Sequence, residues 1–288
     1  MTHIVRTEAF RQPPQVVVAD DGAQLCVWSA GDDDGPLVLL LHGFSLDHST
    51  WVPLAQDLVA RGYRVVAPDL RGHGASTVGT SEPSLDQLVA DIGAIMRQLD
   101  LSAVHLVGHS FGAVIALVVR VSGLADSIVS VTSLAGTEQA LQNPIMKLGA
   151  RLFSSRAGIW ALGTQRLGRL IISTWFGKKP KTEHLDWIRQ LSASCPPATR
   201  TFVTVASATL DLRPSFSLDG PPTLVMCGRD DKATLPKFSE RIASAIKHSE
   251  LAMLENCGHM AMIEKPSEVA ERLNAWFTER QLLRPQGT

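Results

Sequence analysis

Ser102-Ala103-Val104-His105-Leu106-Val107-Gly108-His109-Ser110-Phe111-Gly112-Ala113-Val114-Ile115-Ala116-Leu117-Val118-Val119 is the stretch whose reading decides the fold. Residues 102–107 are a short apolar run that predicts a buried strand, and 113–119 predict a buried helix. Between them Gly108-His109-Ser110-Phe111-Gly112 must turn the chain sharply from one to the other. A Gly-x-Ser-x-Gly at such a turn is a nucleophile elbow: the glycines let the backbone pass close to its neighbours, and the serine is left strained with its hydroxyl exposed. A serine hydroxyl is a poor nucleophile at neutral pH, so it needs a base to take its proton and a third group to orient that base.

Both partners occur downstream in the order this architecture uses, acid before histidine. Pro222-Thr223-Leu224-Val225-Met226-Cys227 predicts a buried strand, followed by Gly228-Arg229-Asp230-Asp231. Leu251-Ala252-Met253-Leu254 predicts the next strand, followed by Glu255-Asn256-Cys257-Gly258-His259. Loops at the ends of successive parallel strands bring such residues together above the sheet. Leu37-Val38-Leu39-Leu40-Leu41 is a further strand, and His42-Gly43-Phe44 follows it. An oxyanion hole needs two backbone N–H donors, which places Phe111, after the serine, and Phe44, after the third strand, in that role.

With these residues in order, the chain resembles the α/β-hydrolase fold family. The resemblance also rests on Pro68-Asp69-Leu70-Arg71-Gly72-His73-Gly74-Ala75-Ser76, on Gly228-x-x-Asp231, and on Gly258-His259-Met260 with Glu264-Lys265-Pro266. It covers about residues 15–135 and 218–280. It implies a mostly parallel, eight-stranded α/β sheet flanked by helices, with a helical cap inserted after strand 6. It also implies a catalytic triad of Ser110, His259 and Asp231; the spacing from Gly228 favours Asp231, with Asp230 as the alternative. Serine at 110 separates the chain from dehalogenases and epoxide hydrolases, which carry Asp there, and from dienelactone hydrolases, which carry Cys. Carbon–carbon bond hydrolases of the family usually carry Trp after the histidine, where this chain has Met260. The implied reaction is hydrolysis of an ester, lactone or thioester of a hydrophobic small molecule through an acyl-enzyme. Three other uses of the fold stay open: a cofactor-free cyclase, acyltransferase or perhydrolase, a C–C bond hydrolase, and a binding module without catalysis.

The rest of the chain divides around this site. Residues 16–19 and 24–29 predict an antiparallel pair about the turn 20–22. Residues 50–61 and 85–99 predict helices, and 65–67 and 128–134 predict strands, so residues 1–136 and 216–288 form the core. Residues 137–215 break the alternation; helical periodicity dominates there and marks the cap. This segment carries eleven basic and four acidic side chains, +7, against −8 for the remainder. Its most apolar stretch holds Trp160 and Trp175, of which at least one is expected to face the substrate pocket, with Met260 beside the histidine. The basic excess predicts a solvated face first, and weak contact with an anionic membrane surface or acidic substrate second.

The 288 residues suffice for one α/β domain with a cap, and a 45% hydrophobic content predicts a sizeable core. A formal net charge of −1 argues against a general nucleic-acid binder. Cys26, Cys195, Cys227 and Cys257 are scattered, which suits free thiols in a reducing compartment. Thr2-His3-Ile4-Val5-Arg6-Thr7-Glu8 is polar and charged, unlike a signal peptide, so a cytoplasmic monomer or homodimer is expected. His105 and His109 are four apart but would not align on a strand and turn, and neither His-Glu-x-x-His nor Cys-x-x-Cys occurs. No metal and no cofactor are expected, and His42, His73 and His109 read as structural hydrogen bonders.

Overall fold

The computed structural model describes residues 9–140, 155–178 and 180–282. Eight strands form one sheet: β1 (Gln15–Val18), β2 (Gln24–Ala30), β3 (Leu37–Leu41), β4 (Arg64–Pro68), β5 (Val104–His109), β6 (Ile128–Leu134), β7 (Thr223–Gly228) and β8 (Ser249–Leu254), in the order β1-β2-β4-β3-β5-β6-β7-β8. Only the β1–β2 and β2–β4 pairs are antiparallel. Every residue of β3, β5, β6 and β7 is buried, as expected for parallel strands covered on both faces.

The period of two along a strand sorts side chains onto the two faces. On β3, Val38 and Leu40 join one layer with Trp51, Leu54, Trp276 and Phe277, while Leu39 and Leu41 join the other with Leu88, Ile92 and Ile95. The helices that supply these layers are α1 (Val52–Ala60), α2 (Leu85–Gln98), α3 (Phe111–Val119) and α10 (Pro266–Leu282), while α8 (Pro236–Ala245) packs Ile242 into a third cluster with Leu117 and Val225. α2 shows the local logic: Ser84 caps it by accepting from Gln87 N at 3.0 Å, and Leu88, Ile92 and Ile95 recur on its inner face. Sequence periodicity left α8 and α10 unassigned, although each begins with the proline that favours a first helical turn.

The cap follows β6. Its described helices are α4 (Arg156–Gly163), α5 (Gln165–Ser173), α6 (Thr182–Ser194) and α7 (Pro197–Ala206), and a 3-10 turn (Arg213–Ser217) leads back toward β7. It shares both core layers: Leu162, Ile172, Phe176 and Ile188 pack into the first, Phe202 and Val203 into the second. Much of its positive charge is used locally. Arg169 and Arg189 both face Asp186, Arg213 pairs with Asp211 at 2.6 Å, and the buried Arg200 donates to the carbonyls of Ser192 and Cys195. Lys147, Arg151 and Lys179 lie outside the described residues. All four cysteines are unpaired and buried. Among the described residues no helix is long and apolar enough to cross a membrane.

Candidate active site

Ser110 follows β5, the acids follow β7 and His259 follows β8, so the residues singled out in the sequence all leave C-terminal ends of parallel strands. Ser110 has φ 53° and ψ −112°, a conformation that costs a non-glycine residue about 1–3 kcal/mol and persists only where its surroundings impose it. The surroundings do so here. A side chain at Gly108 would strike the carbonyl of Gly112, and one at Gly112 would strike the carbonyls of Leu41 and His42. The Ser110 amide is held by Leu134 O at 2.9 Å.

Asp231 is the acid that reaches the histidine. Its Oδ2 lies 2.8 Å from His259 Nδ1, and both groups are buried. The carboxylate's other oxygen accepts from the amides of Ala233 at 2.8 Å and Thr234 at 2.9 Å. Asp230 instead uses its backbone, donating to Cys257 O at 2.9 Å. Thr234, which the sequence reading did not single out, holds the pair from the side. Its hydroxyl lies 2.9 Å from Asp231 Oδ2, 3.2 Å from His259 Nδ1 and 2.9 Å from Ala135 O. An Asp followed three residues later by a hydroxyl in a turn was the available signal.

The three loop histidines are tied to backbone, as their positions predicted. His42 Nε2 accepts from Leu70 N at 2.9 Å, so its Nδ1–H donates to Gly43 O at 2.8 Å. His73 Nε2 accepts from Ser45 N at 3.2 Å, and its Nδ1 lies 3.0 Å from Arg71 O. The loop 42–45 is thereby locked to the loop 68–76. His109 donates from Nε2 to the carbonyl of His259 at 2.9 Å, fixing the backbone of the other histidine. Burial pushes all three below the ordinary histidine range, to about 3 for His73, so they stay neutral.

Phe111 opens α3, and a first-turn N–H has no intrahelical partner. Phe44 follows Gly43, and a side chain at Gly43 would come within 3.2 Å of Ser110 Cβ, so this loop passes against the elbow. Met260 is fully buried. Trp175 stands beside the histidine, with ring centroids 6.3 Å apart in an edge-to-face arrangement, and its carbonyl accepts from His259 N at 2.7 Å. Trp160, by contrast, is 68% exposed on α4.

Among the described residues one group, Asp47, His48 and Asp69, brings three ligand-type atoms within 4.8 Å of one another. Several of its acceptor atoms already hold hydrogen bonds. Asp69 accepts from His48 N, His48 Nδ1 and Ala75 N, and Asp47 accepts from Ser49 N and Oγ. A concavity of about 350 Å³ lined by Asp33, Arg64, Asp100 and His105 lies at the opposite, N-terminal edge of the strands.

The fold agrees with relatives found by comparison. The model of the alpha/beta hydrolase family matches residues 38–272, and the chain belongs to that family. The (E)-2-((N-methylformamido)methylene)succinate hydrolase of Acinetobacter baylyi is 26% identical over 254 residues, covering 85% of this chain and 91% of that protein. A protein described as the dihydrolipoyllysine-residue acetyltransferase component of the acetoin cleaving system of Pseudomonas putida is 27% identical over 271 residues, 92% of this chain and 70% of its own. Among solved structures, an esterase from Exiguobacterium antarcticum superposes with a TM-score of 0.81 at 22% identity, covering 92% of this chain and 99% of its own. The enol-lactonase from Burkholderia xenovorans superposes equally well, at 0.81 and 22%, over 92% of this chain and all of its own.

Proposed function

We propose that this protein is a serine hydrolase that cleaves a carboxylic ester, lactone or thioester of a hydrophobic small molecule. The observation that carries the reading is the contact between His259 Nδ1 and Asp231 Oδ2, at 2.8 Å, on the same sheet edge as a strained Ser110. A carboxylate on Nδ1 keeps the proton there and leaves the lone pair on Nε2, which is the tautomer a general base needs. His259 Nε2 takes the Ser110 hydroxyl proton as Oγ attacks the substrate carbonyl. The carbonyl π electrons move onto oxygen, and the N–H groups of Phe111 and Phe44 stabilise that charge. The tetrahedral intermediate collapses as His259 returns the proton to the departing alcohol or thiol. Water, deprotonated by the same nitrogen, then attacks the acyl-enzyme and releases the acid with Ser110 restored.

Residues 137–215 serve as a lid over this chemistry, and the acyl group lies against Trp175, whereas Met260 is packed inside the core and offers it no surface. Trp160 contributes less, since a ring that is 68% exposed has little area left to bury inside a pocket. The basic excess of the cap is a solvated face, because its arginines are in good part engaged with cap carboxylates and carbonyls. Unpaired buried thiols suit a cytoplasmic setting. The test is twofold. A fluorophosphonate probe should label the peptide containing Ser110. A panel of p-nitrophenyl esters of graded chain length, with acyl-CoA thioesters, should show turnover to the free acid by mass spectrometry. Products that retain the acyl group on another acceptor, or that are cyclised without uptake of water, would replace hydrolysis by transfer or cyclisation. No labelling and no turnover would leave a binding module.

A further inference from the structure

One carboxylate is left over by this chemistry, and it sits between the cap and the histidine loop. Glu264 ends the short helix α9 (Ala261–Glu264). Its Oε1 accepts from Gly258 N at 3.0 Å and Met260 N at 3.2 Å, the residues on either side of His259. Its Oε2 accepts from Gly177 N at 2.7 Å, and Gly177 belongs to the cap segment between α5 and α6. Three amides thus converge on one anion, the charge-assisted kind of hydrogen bond that is stronger than a neutral one.

The same cap segment touches the histidine loop at three more points. Trp175 O accepts from His259 N at 2.7 Å, and Lys178 Nζ donates to Asn256 Oδ1 at 3.2 Å. The two backbones are also in direct contact. A side chain at Gly258 would strike Phe176 and Gly177, while one at Gly177 would stand 3.0 Å from Gly258 N and 3.1 Å from Glu264 Oε2. Phe176 itself is buried in the core layer that contains Cys257, Met260 and Ala261. Between α5 and α6, then, the cap is not merely laid over the histidine loop. It is bonded to the histidine's own amide, to the carboxylate that holds the flanking amides, and to the core beneath.

We propose that Glu264 is a positioning residue that joins cap residues 175–177 to the His259 loop as one rigid unit, so that the seating of the cap sets the placement of the catalytic base. The proposal rests on His259 acting as that base. It assigns the cap two unlike parts: a fixed strap at 175–177 that belongs to the catalytic machinery, and the helices around it that form the lid. Glu264 touches no substrate. It acts through the backbone of residues 258–260, and an error of even 1 Å in the placement of a catalytic group costs up to about 100-fold in rate.

The experiment compares Glu264→Gln with Gly177→Ala and with the double variant. Glutamine keeps the shape but turns one acceptor oxygen into an NH₂ donor that faces an N–H, so it loses either the Gly177 contact or the loop contact. Alanine at 177 keeps its N–H and presses the strap off the loop from the cap side. For p-nitrophenyl acetate, too small to need the lid, kcat should fall about 10-fold or more in each single variant with KM little changed. The double variant should be no worse than the poorer single one, because both break the same unit. Amide hydrogen exchange read by mass spectrometry should accelerate together in peptides spanning 174–178 and 255–264, by about 10-fold for loss of a charged hydrogen bond. Exchange needs no turnover, so it separates this proposal from the assignment of the reaction: synchronous loss of protection with no esterase activity in the wild type would retain the joined unit and overturn the hydrolase. Unchanged acetate turnover with a raised KM for long-chain esters only would make Glu264 a lid anchor and overturn the proposal. So would additive losses in the double variant, or loosening of one peptide without the other. If Glu264→Gln fails to fold, Glu264→Asp, which keeps the charge one methylene short, is read by the same two measurements.

Discussion

The sheet edge around Ser110 and the cap above it are built on different physical terms. At the edge, backbone meets backbone. Gly108 faces the carbonyl of Gly112, Gly112 faces those of Leu41 and His42, and Ser110 holds φ 53° because nothing around it leaves room for another turn. In the cap helices, outside the strap at 175–177, side chains do the placing. Arg169 and Arg189 share Asp186, Arg189 reaches the carbonyls of Leu162 and Gly163, and Trp160 and Leu170 stay 68% and 65% exposed. Close backbone contact admits no added atom, whereas side-chain packing can be rearranged at modest cost.

The sharpest break in that comparison is Ser110→Ala. It should lower ester hydrolysis by about 10⁴-fold or more, with the circular dichroism spectrum unchanged. A variant that keeps a tenth of the activity would move the chemistry away from the elbow. Asp231→Asn should cost nearly as much, on the order of 10⁴-fold in kcat, and Asp230→Asn under about tenfold, measured on the same ester. The reverse ranking would mean that the 2.8 Å contact with His259 does not orient the base.

Two smaller effects test the edge through stability. Gly112→Ala should lower the unfolding free energy by about 1–3 kcal/mol, since its new methyl meets carbonyls that cannot withdraw. Gly163→Ala, with open space at the same position on α4, should stay within about 0.5 kcal/mol in urea denaturation. The buried histidines give the pH dependence. His42, His73 and His109 titrate below the ordinary value when folded, so between pH 7.5 and 5.5 the unfolded chain takes up protons that the folded chain refuses. Stability therefore falls over this range, on the order of 1 kcal/mol for each histidine, and is regained on return to pH 7.5. A urea midpoint that stays flat over this range would show that at least one of them is charged in place.

The smallest effect belongs to the cap. Trp175→Ala should shift the preferred acyl chain length by about tenfold in the ratio of kcat/KM for long and short esters, because its ring flanks His259. Trp160→Ala should change that ratio less than about twofold. Comparable effects from both would mean that the outer face of the cap also takes part in recognition.

Sequence alone exposed the parts whose constraint is local. The elbow was legible because only glycine tolerates the contacts at 108 and 112, and the loop 42–44 beside it because its glycine and its strand stand together in the chain. The strands β3, β5 and β7 were legible because total burial leaves continuous apolar runs. The helices α8 and α10 were missed; apolar and polar residues are mixed around α10, so its periodicity is weak, and Pro236 and Pro266 mark their starts.

What tertiary structure alone decided are relations between distant segments. Asp230 and Asp231 are neighbours in the chain; spacing from Gly228 favoured Asp231 but left Asp230 open, and it is the turn after β7 that puts the Asp231 carboxylate 2.8 Å from His259. Trp160 and Trp175 read alike as apolar cap residues, yet one is largely in solvent and the other stands over the histidine. Glu264 read as part of a motif beside Pro266, and its place between Gly177 and Gly258 could not be read there, because the amides it gathers come from residues up to 87 positions away. A local pattern records what one stretch of backbone can tolerate; which groups share a carboxylate depends on how the whole sheet edge closes under the cap.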